Sequence, residues 1–365
     1  MIRAPLILLG AGQVGRALVR QLLEAEPVHA RRDGIRFPIV AWCDGTGAVV
    51  DEEGISAEIL HETLAAKAGG TPLARSPYGY YQDSLPAIVD VIGRKGAIVA
   101  DTTASDATVP ALALALGRGY CAATANKVPL AGPQELFDRL TATPRFRYES
   151  TVASAVPVIE AARGLVRAND RVDVVRGALS GTLGFLCTGL QAGRHFSELV
   201  HDAMARGYTE PDPRTDLVGV DVARKALIIA RTLGWRMEPE EVTVEPLLPE
   251  AMLGLPLPEF LECMAELDAG FAVRSAVAAA EGQTLRYIAE LAPGSATVGL
   301  RALPLASPLG RLRGNDNLVT FSTRYYPDEP LVLQGRGAGV DAAAAGVHAD
   351  IVALAEGRRA WSKAA

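Results

Sequence analysis

Residues 4–24 read APLILLGAGQVGRALVRQLLE. The apolar run Ala4–Leu9 suits a buried parallel strand, and it delivers Gly10, Gly12 and Gly15 directly into the helical pattern of Arg16–Glu24. Strand, glycine turn and helix, in that order, form the context that dinucleotide binding requires. The glycines permit a tight turn and close approach of backbone to a pyrophosphate, whose charge meets the free N–H groups at the helix start. This stretch sets the fold class as α/β, with an N-terminal Rossmann-like domain. Gly10, Gly12, Gln13, Val14 and Gly15 are its cofactor-binding candidates. The same string also spells a structural turn in other α/β domains.

Working outward, a second apolar run, Pro38–Cys43, ends in Asp44 followed by Gly45 and Gly47. A carboxylate at the end of the second strand accepts hydrogen bonds from an adenosine ribose and repels a phosphorylated one, so Asp44 leans towards NAD. Ala97–Ala100 reads as a further strand running into DTTAS, and Tyr120–Thr124 as another running into ATANKVPL. Thr103, Asn126 and Lys127 thereby stand at the carboxyl ends of strands, where ligands of parallel sheets bind. On sequence alone, the reading of Lys127 as a solvated cation is the favoured one.

Composition narrows the class. With 365 residues, 49% hydrophobic and 21% charged, the chain exceeds one compact unit, and two domains are expected. A net charge of -6 and a pI near 5.5 offer no basic field for nucleic acid or an anionic membrane, leaving small molecules or copies of itself as partners. Cys43, Cys121, Cys187 and Cys263 have neither CxxC nor Cys/His metal spacing and read as reduced, buried thiols of a cytoplasmic protein. No secretory leader and no run long enough to span a bilayer are read in the sequence.

After Arg147 the pattern changes from nucleotide-binding units to strands and helices of another kind, beginning with YESTVASAVPVIE. Strands are expected at Val172–Leu179, Ala272–Ala279, Leu285–Leu291, Ser295–Leu303 and Asn317–Ser322, giving a mixed, largely antiparallel sheet covered by helices. Pro246–Pro258, with four prolines, reads as an irregular connection. Residues 207–225, GYTEPDPRTDLVGVDVARK, crowd Glu210, Asp212, Asp216 and Asp221 together, and the prolines stiffen the loop that carries the first two. Asp216 is the expected N-cap of a helix whose buried face is Val222, Ala226, Ile229 and Leu233. Asp221 and Lys225 lie one turn apart on it, as either a solvated i,i+4 pair or a polar site.

The stretch 207–225 resembles the signature of homoserine dehydrogenases, a GYTEPDPR-type loop before a DVARK-type helix, over its whole length. The resemblance extends through the TANK-type motif at 124–127, the SGT-type turn of SGTLGFL and the GPGAG-like turn QGRGAG, and so covers almost the whole chain. It implies NAD(P)-dependent hydride transfer between L-homoserine and L-aspartate 4-semialdehyde. Lys225, Asp221 and Lys127 become the catalytic candidates, and Gly207, Glu210, Asp216, Asp221 and Thr182 the substrate-binding ones. Thr103, Lys127 and Gly339 join the cofactor set, and Glu149 with the carbonyls of Val152, Ser154 and Val156 would hold a monovalent cation such as Na+.

The family pattern is broken where Ala153 and Ala155 replace common glycines, Gly184 a common polar residue and Arg336 a proline. The expected domains are 1–148 for the dinucleotide, 149–325 for catalysis and dimerisation, and 326–365 returning to the first. A homodimer without an appended kinase or regulatory domain is expected. The alternatives are another amino-acid or semialdehyde dehydrogenase on the same scaffold, or a non-catalytic NAD(H)-sensing protein.

Overall fold

The computed structural model describes residues 1–361, so residues 362–365 of the expected C-terminal segment lie outside it. Its contacts divide the chain into two compact units, Met1–Ala155 with Gly339–Ala365, and Val156–Ala338. The division places 149–155 with the first unit and 326–338 with the second, where the sequence reading put each with the other. Hydrogen bonds explain both shifts. The Glu149 amide donates to Asp350 in the C-terminal helix Val340–Trp361, whereas Leu331–Gly335 pairs as a strand with Asn317–Phe321.

The first unit is built on a seven-stranded sheet. Its strands are β1 Leu6–Leu9, β2 Ile39–Cys43, β3 Gly47–Val50, β4 Tyr80–Tyr81, β5 Ile98–Asp101, β6 Cys121–Thr124 and β7 Phe146–Arg147. The order is β4-β3-β2-β1-β5-β6-β7. Pairs from β2 across to β7 are parallel, and β3 pairs antiparallel with both β2 and β4. Strands β1, β2, β5 and β6 are buried along their whole length, as continuous apolar runs in a covered parallel sheet must be. The glycine-turn helix Gln13–Val28 and the C-terminal helix pack Leu18, Val347, Ile351 and Leu354 into the same core as Leu6, Trp42 and Ile98. Each such side chain contributes about 1.5–3 kcal/mol by leaving water.

Beyond the glycine-turn helix, a π-turn at His29–Asp33 places His29 Nε2 2.8 Å from His348 Nε2 of the C-terminal helix, while Asp33 accepts from His29 Nδ1 at 2.9 Å. Burial, reinforced by the facing His29, pushes His348 down to about 4. Because the folded value lies below the unfolded 6.5, this contribution is intact above pH 6.5 and is lost as pH falls towards 4. Asp33 and the adjoining Arg32 are the other charges at this contact. Between pH 7 and pH 5 the wild type should therefore lose about 2 kcal/mol more unfolding free energy than H348Q. Urea midpoints at the two pH values test this, and equal losses in both proteins would refute it.

The second unit holds a six-stranded sheet of β8 Val172–Ala178, β9 Val242–Val244, β10 Gln283–Ala292, β11 Ser295–Pro304, β12 Asn317–Thr323 and β13 Leu331–Gly335. The order is β9-β11-β10-β8-β12-β13, and only the β9–β11 pairing is parallel. The expected strand at Ala272–Ala279 is instead part of the helix Asp268–Ala280. Its alanines are the best helix formers, and among so many of them two valines do not make a strand. Asp216 does not cap the helix that carries Lys225. It sits inside a separate short helix, Arg214–Leu217, and Gly219 at φ +76° separates that turn from the helix Val220–Thr232. Among the described residues, no helix is long and apolar enough to cross a membrane.

Candidate active site

In the first unit, the carboxyl ends of β1, β2 and β5 border a cavity of about 660 Å³, lined among others by Gly10, Gly12, Asp44, Thr103, Ser105 and Thr108. The glycine turn is compact because its glycines are needed for space. A Cβ on Gly15 would lie 2.1 Å from the Gly10 carbonyl oxygen, and one on Gly10 would meet Thr102 Oγ1 at 2.7 Å. Gly12 has open space on its Cβ side, the cradle that a pyrophosphate approaching the helix start would fill. The Trp42 indole fixes the turn by donating to the Gly10 carbonyl at 3.1 Å. A further cavity of about 580 Å³, against Leu22, Phe37 and Leu60, lies at the opposite end of β2 and carries none of the expected residues.

Asp101, at the end of β5, was not singled out in the sequence, yet it organises this rim. One of its carboxylate oxygens accepts from the Thr103 amide (2.9 Å) and hydroxyl (2.7 Å), the other from Thr108 (2.7 Å) and Asn126 Nδ2 (3.1 Å). Asn126 also donates to the Ser105 carbonyl at 2.6 Å and accepts from the Val128 amide at 3.1 Å. The DTTAS and TANK segments are thus tied to one buried carboxylate, which fixes the backbone that carries Lys127. Burial raises the pKa of Asp101 despite these donors. A polar DT at a strand end was the available signal.

Asp44 is differently occupied from the expectation. Its Oδ1 accepts from Thr46 N (2.8 Å), Thr46 Oγ1 (2.6 Å) and Gly47 N (3.2 Å), and its Oδ2 from Lys67 Nζ (2.7 Å) and Leu73 N (3.1 Å). Burial works to raise its pKa, but Lys67, Thr46 and Leu73 prevail, and it ends below the ordinary carboxylate value. Asp44 closes its own hairpin. The segment Gln82–Pro86, a wall of the cavity, was missed by sequence reading because an exposed PYGYYQD loop carries no motif.

In the second unit, Ser180 caps the helix Gly181–Gln191 by accepting from the Leu183 amide at 3.2 Å. This SGT turn supplies two polar groups. The Leu179 carbonyl accepts from Lys225 Nζ at 2.7 Å, and Thr182 Oγ1 donates to the Tyr208 carbonyl at 2.6 Å while lying 3.3 Å from Asp216 Oδ1. Asp221 Oδ2 lies 2.8 Å from Lys225 Nζ, whose side chain is only 11% exposed. Asp221 itself is 47% exposed, so what sets this contact apart from the solvated helix pair that spacing alone allowed is the burial of the lysine and its second partner, the Leu179 carbonyl.

Asp216 accepts from the Glu210 amide at 2.9 Å, and burial, with Glu210 and Asp221 nearby, raises its pKa. Gly207 ends the helix Phe196–Ala205 at φ +66° and turns the chain into this loop. Arg214, also missed, pins the loop. It forks onto Asp212 (2.6 Å), donates to the Leu253 and Leu255 carbonyls (3.1 and 2.6 Å) and lies over the Phe260 ring. Asp212, its pKa lowered by Arg214, is thereby a loop fastener. A Cβ at Gly184 would stand 3.1 Å from the Gly314 carbonyl oxygen, so a larger residue fits there only with a shift of a few tenths of an ångström.

The sequence profile for homoserine dehydrogenase matches residues 157–352. The chain belongs to the homoserine dehydrogenase family. It is 34% identical over 353 residues to the bifunctional aspartokinase/homoserine dehydrogenase of Haemophilus influenzae, covering 95% of this chain and 42% of that protein. It therefore spans less than half the length of such bifunctional relatives. With the homoserine dehydrogenase of Paracoccidioides brasiliensis it shares 35% identity over 277 residues, 71% of this chain and 74% of that one.

Among solved structures, a Candida auris protein described as of unknown function superposes with a TM-score of 0.85 at 28% identity, covering 98% and 99% of the two chains. A hyperthermophilic archaeal homoserine dehydrogenase in complex with NADPH has the same fold, with a TM-score of 0.75 at 22% identity over 97% and 98% of the chains. The residues expected to hold a monovalent cation fall on a turn, Glu149–Thr151, followed by Ala153 and Ser154 at φ +56° and +58°. Alanine in the left-handed region is strained by about 1–2 kcal/mol, so Ala153 holds this turn at some cost. Glu149 is buried there. No cluster of three or more His, Cys, Asp or Glu able to hold a metal occurs among the described residues.

Proposed function

We propose that the protein is a homoserine dehydrogenase, interconverting L-homoserine and L-aspartate 4-semialdehyde with NAD(P). The observation that carries this reading is the enclosed Lys225, held between Asp221 and the Leu179 carbonyl beside the acidic group of Asp216 and Glu210. Gly10, Gly12 and Thr103, which line the cavity, would hold NAD(P), which when bound would supply or accept the hydride. Lys225 handles the proton that accompanies hydride transfer at the substrate oxygen, and its positive charge stabilises the developing alkoxide. Glu210, Asp216 and the Gly207 backbone receive the amino acid's ammonium, with Thr182 orienting Asp216. Lys127, Gly15 and Gly339 complete the cofactor set, and Glu149 with the carbonyls of Val152, Ser154 and Val156 forms the cation set. Steady-state oxidation of L-homoserine, run with NAD and NADP side by side, tests the proposal, and absence of turnover with both would remove it.

We further propose a cytoplasmic homodimer. The four cysteines are free, which supports a reducing compartment, and burial pushes Cys43 up to about 12 and Cys187 to about 11, so those two thiols stay inert. Val273 and Val277, 63% and 56% exposed on one face of the helix Asp268–Ala280, give apolar surface for a second copy to cover. Sedimentation at assay concentration should show a dimer, and a monomer there would exclude it.

A further inference from the structure

We infer that Asp83, rather than Asp44, is the side chain that discriminates against a 2′-phosphorylated adenosine ribose, so that the cavity takes NAD(H) in preference to NADP(H). This rests on the dinucleotide-binding part of the proposed function and not on the identity of the substrate. Asp44 occupies the position from which an acidic residue reads the ribose in such folds. Here, however, five donors from Thr46, Gly47, Lys67 and Leu73 already occupy its two oxygens. A carboxylate so engaged has little capacity left for ribose hydroxyls, and its charge is offset by Lys67 at 2.7 Å.

Topology brings a second carboxylate to the same edge. Strand β3 runs antiparallel to β2, and β4 antiparallel to β3, so β4 points the same way as β2. The register pairs Gly47 with Tyr81 and Ala48 with Tyr80. Asp83 therefore leaves β4 at the edge of the sheet where Asp44 and Gly45 leave β2, on the ribose side of the glycine turn. Asp83 and Gln82 line the cavity together with Asp44 and Gly45.

The Gln82 side chain fixes this wall by accepting from the Ser84 amide at 2.8 Å. Asp83 is exposed, with the Tyr81 hydroxyl at 3.5 Å, and keeps lone pairs for a ligand. No Lys, Arg or His is among the described residues that line the cavity, and Lys67, outside that lining, is already paired. A ribose 2′-hydroxyl can donate to Asp83. A 2′-phosphate would meet a like charge with no cation from the wall to offset it.

Titration of the intact protein with NADH and with NADPH, followed by nicotinamide fluorescence, reads the two affinities without turnover. The wild type should bind NADH at least about tenfold more tightly than NADPH. D83N should bring the two within about threefold, chiefly by tightening NADPH. The paired substitution D44N/K67M, which removes both charges of the hairpin ion pair, should leave the wild-type ratio in place. Tighter NADPH binding by the wild type, an unchanged ratio in D83N, or collapse of the ratio in D44N/K67M would each overturn the assignment. Failure of the wild type to bind either nucleotide would overturn the dinucleotide reading beneath it.

Discussion

Lys225→Met should lower kcat for homoserine oxidation by about 10²–10⁴-fold, the usual range for general acid/base assistance, while affinity for the nicotinamide cofactor changes little. Hydride addition to an aldehyde leaves negative charge on oxygen, and a fixed cation both stabilises that charge and supplies the proton. Lys225 is fixed in this way, with Asp221 Oδ2 at 2.8 Å and the Leu179 carbonyl at 2.7 Å setting the direction of its ammonium. Methionine keeps the stem's volume and removes the charge, so the loss appears in kcat. One proton is released for each hydride removed from the alcohol, and the oxidation equilibrium therefore shifts towards aldehyde as pH rises. Lys127 is the competitor, held on the Asn126 backbone that Asp101 organises. Steady-state kinetics of Lys225→Met and Lys127→Met separate them, and a near-normal kcat in the first with a large loss in the second would assign the proton to Lys127.

The elements legible in the sequence were those whose pattern and packing agree. Ala4–Leu9 and Pro38–Cys43 are continuous apolar runs, and β1 and β2 are buried throughout, so pattern alone located them. The segment Ala272–Ala279 failed because its small residues satisfy a strand's hydrophobicity, while the helix propensity of its alanines, which a reading by hydrophobicity passes over, carries it into a helix. Asp216 failed as a cap for a different reason. An Asp before an apolar-periodic run is a good N-cap signal, but Pro213 nucleates its own turn first, and Gly219 must break that turn before the longer helix can start.

Site residues show the same limit more sharply. Lys225 and Asp221 were legible because a one-turn spacing on a helix fixes their distance in advance. The partner that distinguishes a held lysine from a solvated pair, the Leu179 carbonyl, lies 46 residues away and is a backbone atom, so no residue type could announce it. The clamp by Arg214 on the Leu253 and Leu255 carbonyls was hidden likewise. Asp44 was legible as a position but not as a chemical group. Sequence shows a carboxylate at a strand end, whereas its availability depends on Lys67 and Leu73, which reach it from outside the motif.

Gly219→Ala should destabilise the second unit by about 3 kcal/mol and abolish most activity in whatever remains folded. Two costs combine. Gly219 holds φ +76°, a backbone state that costs an L-residue about 1–2 kcal/mol, and an added Cβ would stand 2.0 Å from the Tyr287 hydroxyl. That hydroxyl donates to the Glu245 carbonyl at 3.0 Å, from a ring only 3% exposed, so it cannot retreat without breaking the bond or moving β10. The alternative is for the start of the helix Val220–Thr232 to move outward, which carries Asp221 and Lys225 away from the Leu179 carbonyl. A misplacement of about 1 Å in a catalytic group can cost 10²-fold in rate. Removing the hydroxyl separates the two costs. In a Tyr287→Phe background the steric part falls, whereas the backbone part stays, so Gly219→Ala should cost roughly half as much there. Denaturant unfolding of the four proteins in this cycle measures both, and equal losses in the two backgrounds would show that Tyr287 does not hold Gly219 in place.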